Sequence, residues 1–95
     1  MPGWILESDD FTLRLPPGSV KTIGRTVRAD FFVDGALVSR LHCRLTADAS
    51  DQLVVEDLES TNGTLVNGKK IQRAVLRAGQ KLTVGRVEFT VRHLK

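Results

Sequence analysis

Two short stretches of this chain carry side chains suited to holding an anion. Arg25 follows Gly24 where a short extended run, Val20 to Ile23, ends. Glycine lets the main chain turn sharply, so the arginine projects from a fixed base. A guanidinium offers a rigid fork of donors that matches phosphate oxygens. The same pair also reads as a solvated surface arginine after a turn. In Ser39-Arg40-Leu41-His42 the Ser39 hydroxyl and the N–H groups beside it can donate to an anion, and Arg40 adds charge. Ser39 and His42 also raise a nucleophile-and-base arrangement. They stand three apart in a loop entering a strand, however, and no acid is indicated as the orienting third group. His42 reads better as structural, one ring nitrogen donating to a loop carbonyl and so holding Ser39 in place.

Two further stretches centre on Asn-Gly pairs. Ser60-Thr61-Asn62-Gly63-Thr64 and Asn67-Gly68 flank the apolar run Leu65-Val66. Asn-Gly tolerates positive φ at low cost, so each pair predicts a tight turn, with a short strand between. The Asn62 side chain has one carbonyl and one amide, and can grip the N–H and C=O of an extended peptide together. Asn62-Gly63 is equally readable as a hairpin turn and nothing more. Asn67-Gly68-Lys69-Lys70 is a turn followed by two lysines, which fits the rim of an anion site or a solvated turn.

The elements that must position these groups are short strands. Apolar residues alternate in Phe11 to Leu15, Cys43 to Ala47 and Val87 to His93, where Val87, Phe89 and Val91 share one face. Trp4 to Leu6, Val20 to Ile23, Phe31 to Val33, Leu53 to Asp57, Thr64 to Val66, Lys70 to Ile71, Ala74 to Leu76 and Gln80 to Val84 are the other extended pieces. Gly, Pro, Asn and Asp punctuate them. No segment has convincing helical periodicity; Arg73 to Leu76 has room for one turn at most. The pattern predicts an all-β sandwich or barrel, with function in the loops at one end.

Composition narrows the classes. The 95 residues suit one domain, with 41% hydrophobic and 26% charged residues supplying a core. No apolar run approaches the roughly 20 residues that span a bilayer, and the N-terminus lacks the features of a signal peptide. The lone Cys43 forms no internal disulfide and offers no zinc cluster, and it is expected to be buried beside Leu45. An intracellular location is expected, cytoplasmic or, in a eukaryote, nuclear. The net charge of +3 is a mild basic excess with mixed signs. The five aromatic residues lie mostly at core-like positions, against a stacking surface for nucleic acid.

Taken together, Gly24-Arg25, Ser39-Arg40-Leu41-His42, Ser60-Thr61-Asn62-Gly63-Thr64 and Asn67-Gly68, in this order on an all-β chain, resemble the forkhead-associated (FHA) domain. The resemblance covers about Trp4 to Leu94, and residues 1–95 read as a single domain of this kind. It implies an all-β, two-sheet twisted antiparallel β-sandwich of about ten or eleven short strands that binds phosphothreonine in an extended peptide through loops at one end. Arg25 and Ser39 match phosphate-binding positions. Arg40 matches a variable position that often adds a phosphate contact. Thr61 matches a residue lining the phosphothreonine pocket, and Asn62 the asparagine that holds the peptide backbone just after the phosphothreonine. Gly24, His42 and Gly63 match loop-building positions.

The resemblance implies a non-catalytic recognition module without metal or cofactor, whose partner is a threonine-phosphorylated protein or peptide, not nucleic acid or membrane. A monomer is favoured. A specificity rim is expected in Asp34 to Leu37 and in Asn67, Gly68, Lys69 and Lys70. The competing expectation is a scaffold of the same fold that binds a partner through a sheet face, independent of phosphate.

Overall fold

A computed structural model of the chain describes residues 2–94. Eleven strands are present: β1 (Gly3–Glu7), β2 (Thr12–Leu15), β3 (Val20–Gly24), β4 (Phe31–Phe32), β5 (Cys43–Ala47), β6 (Leu53–Asp57), β7 (Thr64–Val66), β8 (Lys69–Ile71), β9 (Arg73–Leu76), β10 (Lys81–Val84) and β11 (Val87–Leu94). Two sheets face each other, one of six strands in the order β2-β1-β11-β10-β7-β8 and one of five in the order β4-β3-β5-β6-β9. The expected all-β sandwich is therefore the observed one, and its strand count is the upper of the two expected. Arg73 to Leu76 is a strand, paired with β6 through Leu53↔Leu76 and Val55↔Ala74. Among the described residues, no helix is long and apolar enough to cross a membrane.

Alternation builds the core. β11 turns Phe89 and Val91 inward, both fully buried, while Glu88 and Arg92 are exposed. Leu6, Leu15, Leu82 and Val84 join them from the six-stranded sheet. Ile23, Cys43, Leu45, Leu53, Val55 and Leu76 meet them from the other sheet. Each large side chain buried in this way contributes about 1.5–3 kcal/mol of transfer free energy. Cys43 is fully buried, as expected. Removal from water, with the nearby Asp57 carboxylate adding to it, pushes its thiol up to about 12.

The ladders are antiparallel with one exception. β4 runs parallel to β3, with Ile23 opposite Phe31 and Gly24 opposite Phe32. The segment from Arg25 to Asp30 must therefore double back along β3 before β4 begins. Asp30 fixes that return: its carboxylate accepts from the Thr22 N–H at 2.9 Å, and its own N–H donates to Thr22 Oγ1 at 3.1 Å. The Thr22 N–H, with weaker help from its hydroxyl and from Lys21, holds the Asp30 carboxyl below its ordinary range. The first and last strands pair with each other, Gly3 opposite Leu94 and Glu7 opposite Thr90. At its other end β11 begins beside the Gly85-Arg86 turn, next to the loops that carry the candidate residues.

Candidate functional site

Three loops meet at one end of the sandwich: the one after β3, the one before β5, and the one between β6 and β7. Gly24 closes the first against the second. A Cβ on Gly24 would collide with the Arg40 carbonyl oxygen and stand 3.1 Å from Leu41 Cα, so crossing main chain demands the glycine. The Arg25 N–H then donates to the Ser39 carbonyl at 3.0 Å, and Arg25 Nε to the Val38 carbonyl at 3.2 Å. Two carbonyls of a neighbouring loop thus aim the guanidinium, and its terminal nitrogens stay uncommitted among the described residues.

Ser39 is held from two sides. Its N–H donates to Nδ1 of His42 at 3.0 Å, and its hydroxyl oxygen accepts the Thr61 N–H at 3.0 Å. The hydroxyl hydrogen remains free to donate outward. His42 is fully buried. Because Nδ1 accepts, Nε2 carries the proton and donates to the Gly63 carbonyl at 2.8 Å. The main chain of His42 is also tied, its N–H to the Ile23 carbonyl and its carbonyl to the Leu58 N–H. His42 was expected to reach a loop carbonyl with one nitrogen. It uses both, so a single ring joins the Ser39 loop to the Gly63 loop.

The β6–β7 loop has its own lock, centred on Asp57, which the sequence marked only as the end of a strand. The Asp57 carboxylate accepts from Ser60 Oγ at 2.5 Å, Thr64 Oγ1 at 2.7 Å and the Ser60 N–H at 3.2 Å. Ser60 Oγ in turn accepts the Gly63 N–H at 2.9 Å. Burial pushes the Asp57 carboxyl up, but the Ser60 and Thr64 donors outweigh it and leave it below its ordinary range. The signal was present in Asp57-x-x-Ser60, a spacing at which an aspartate caps a turn by accepting from the chain after it. Gly63 sits at φ +84°, and its open face is covered by the alkyl stem of Lys70. Gly85, in the turn between β10 and β11 at φ +54°, packs on the Leu37-Val38 backbone, where a Cβ would come within 2.6 Å.

Arg25, Ser39, Arg40, Thr61 and Asn62, with Ala36, Leu37 and Val38, line an open depression of about 310 Å³. Thr61 and Asn62 are exposed along one rim, where Asn62 Nδ2 donates to the Leu37 carbonyl at 3.0 Å. The Asn62 side-chain carbonyl and second amide hydrogen remain available. Gly24, His42 and Gly63 stand behind the depression and fix its walls. Asn67, Gly68 and Lys69 are placed elsewhere. Asn67 and Gly68, at φ 50° and 81°, turn the chain from β7 into β8, beyond Val66 and away from Thr64. Asn67 Oδ1 accepts the Lys81 N–H at 2.8 Å, which fixes that turn to β10. Among the described residues, no group of three or more His, Cys, Asp or Glu side chains is placed to hold a metal ion.

Comparison with known proteins adds four findings. The family model described as FHA domain matches residues 21–85, the segment that carries all three loops. The ABC transporter ATP-binding/permease protein Rv1747 of Mycobacterium tuberculosis is 36% identical over 85 residues, covering 90% of this chain and 10% of that protein. A structure described as a structural and functional analysis of phosphothreonine-dependent FHA domain interactions superposes with a TM-score of 0.89 at 33% identity, covering 98% of each chain. The FhaA FHA domain, complexed with the intracellular domain of Rv3910, superposes with a TM-score of 0.85 at 35% identity, covering 94% of this chain and 99% of that one. The chain spans a small part of the first curated relatives it matches, 10% of one and 17% of the next. With the family model matched over most of its length and the three loops assembled as described, this chain belongs to the FHA domain family.

Proposed function

We propose that the three-loop depression binds phosphothreonine in an extended peptide and performs no catalysis. The observation that carries this reading is the pairing of a fixed Arg25 guanidinium with a Ser39 hydroxyl whose oxygen is already occupied by Thr61 N–H, leaving its hydrogen to donate. A phosphomonoester brings about −1.5 to −2 charges and three acceptor oxygens near neutral pH. Arg25 and Ser39 answer it with charge-assisted bonds worth roughly 1.5–3 kcal/mol each, and Arg40 at the pocket wall adds to the field. Asn62 lies along the rim with an amide hydrogen and a carbonyl free, and would hold the backbone that follows the phosphothreonine. The threonine methyl group against the wall formed with Thr61 is worth about 0.8 kcal/mol, roughly a fourfold preference over serine.

The nucleophile-and-base alternative loses its geometry. His42 contacts the main-chain N–H of Ser39, not its hydroxyl, and both ring nitrogens are engaged by the backbone. The reading agrees with the phosphothreonine-dependent interactions described for the 33% identical FHA structure.

A titration with one peptide in phosphothreonine, phosphoserine, threonine and glutamate forms tests it. The phosphothreonine form should bind, the phosphoserine form severalfold more weakly, and the other two not measurably. Arg25→Ala and Ser39→Ala should abolish binding while leaving the thermal transition in place. Equal binding of phosphorylated and unphosphorylated peptide would instead place recognition on a sheet face.

A further inference from the structure

Beside the three-loop depression lies a second cavity, of about 560 Å³, lined by Thr26, Arg28, Arg40 and Leu41. Arg40 is the wall shared by the two. Neither Arg28 nor Arg40 has an ion-pair partner among the described residues, and both are exposed. The acid nearest to Arg28 in the chain is unavailable, because the Asp30 carboxylate is committed to Thr22. The turn that carries Arg28 is ordered by its own bonds: the Ala29 N–H donates to the Thr26 carbonyl at 3.0 Å, and Ala29 is buried. Arg28 therefore projects from a braced turn. Apolar surface accompanies the charge: Leu41, which lines the cavity, is 44% exposed, and Val27, on the turn between Thr26 and Arg28, is 94% exposed.

Two unpaired guanidiniums across a cavity, with apolar side chains left in water beside them, form a site for an anionic side chain with an alkyl stem. Asn62 lines the first cavity and not the second. If Asn62 holds the backbone after the phosphothreonine, the cavity on the other side of Arg40 faces the residues before it. We propose that Arg28 and Arg40 form a second anion subsite, which selects phosphothreonine peptides carrying an acidic or phosphorylated residue one to four positions before the phosphothreonine. This rests on the function proposed above. An acidic side chain and a second phosphate share the recognising chemistry, and they are separated in the test.

The test is a set of phosphothreonine peptides in which each of the four preceding and four following positions is in turn alanine, glutamate or phosphothreonine. Each is titrated against the parent domain and against Arg28→Gln, whose exposed position spares the fold. At one preceding position glutamate should tighten Kd about three- to fivefold over alanine. A second phosphothreonine there should do so more strongly, having up to twice the charge. In Arg28→Gln the ratio between charged and alanine peptides should fall towards one. If every phosphothreonine peptide fails to bind, the underlying function fails and the subsite with it. Binding indifferent to preceding charge, a gain confined to following positions, or an undiminished gain in Arg28→Gln overturns the subsite alone. A gain from the second phosphate without one from glutamate supports it and identifies a doubly phosphorylated ligand.

Discussion

The N–H of Ser39 donates to Nδ1 of His42 at 3.0 Å, and the opposite nitrogen of the same ring donates to the carbonyl of Gly63. One fully buried imidazole thus sets the distance between the loop that offers a hydroxyl and the loop that offers Thr61 and Asn62. His42→Ala leaves a cavity and orphans one donor and one acceptor. It should cost about 2–4 kcal/mol in thermal or denaturant unfolding, and weaken phosphopeptide binding in what remains folded. A variant that unfolds with the parent would show that the ring does not brace the loops.

The same geometry fixes the ring's protonation. A nitrogen that receives an N–H cannot carry its own proton, so His42 should be the neutral Nε2–H tautomer. Nitrogen NMR should show a pyridine-type Nδ1 and a pyrrole-type Nε2 at neutral pH. The reverse pattern would contradict the Ser39 contact.

Gly24→Ala places a methyl group on the Arg40 carbonyl oxygen. The crossing is backbone on backbone, so no side chain can swing aside. Overpacking of this kind costs about 1–3 kcal/mol, and the displaced loop carries Ser39 and Arg40. Stability should fall and peptide affinity should fall further than in a surface variant of equal stability, as measured by unfolding and titration on the same preparations. Unchanged affinity would mean that the Arg40 carbonyl moves without moving the site.

Asp57 gives the β6–β7 loop a pH dependence of known sign. Its carboxyl lies below the ordinary range when folded, because Ser60 and Thr64 donate to the charged form. A lowered folded value means that its stabilising contribution is complete above the unfolded value, near 3.9, and is lost as pH falls through the folded one. The stability difference between the parent and Asp57→Asn should be constant from pH 7 to about 5 and shrink below about 4. A difference that persists undiminished into strong acid would exclude the ionised carboxylate as its source.

The Cys43 thiol, pushed up to about 12 by burial and by Asp57, is protonated and covered at pH 8. Reaction with an aromatic disulfide reagent should be negligible in the native protein and immediate in denaturant. Rapid native labelling would show that the β5 edge opens readily.

The strands were legible because their alternation serves a core with two distinct faces. In β5, Cys43, Leu45 and Ala47 point inward and are fully buried, while Arg44 and Thr46 between them are half-buried on the other face. β4 is two residues long, too short to alternate, and the parallel pairing with β3 depends on Asp30 reaching back to Thr22, a contact without a sequence period. Arg25, Ser39, Thr61 and Asn62 were found by residue type and order, and the fold brings them together. The roles of Asp57, Ser60 and Gly85 were not seen, because each acts on backbone groups that only the fold brings near. Asn67 and Gly68 illustrate the opposite case. They look like a second copy of the Asn62-Gly63 signal, yet three residues of β7 carry them to the other end of the strand.

Gly3 lies opposite Leu94, at the end of β11 remote from the turn that abuts the three loops. Polypeptide attached at either end would therefore leave from the back of the sandwich, side by side, without passing over the recognition face. Such a unit can be spliced into a host chain as a pendant bead, needing only a short gap between its points of attachment. The host is then free to differ in size and trade while the reading head stays the same.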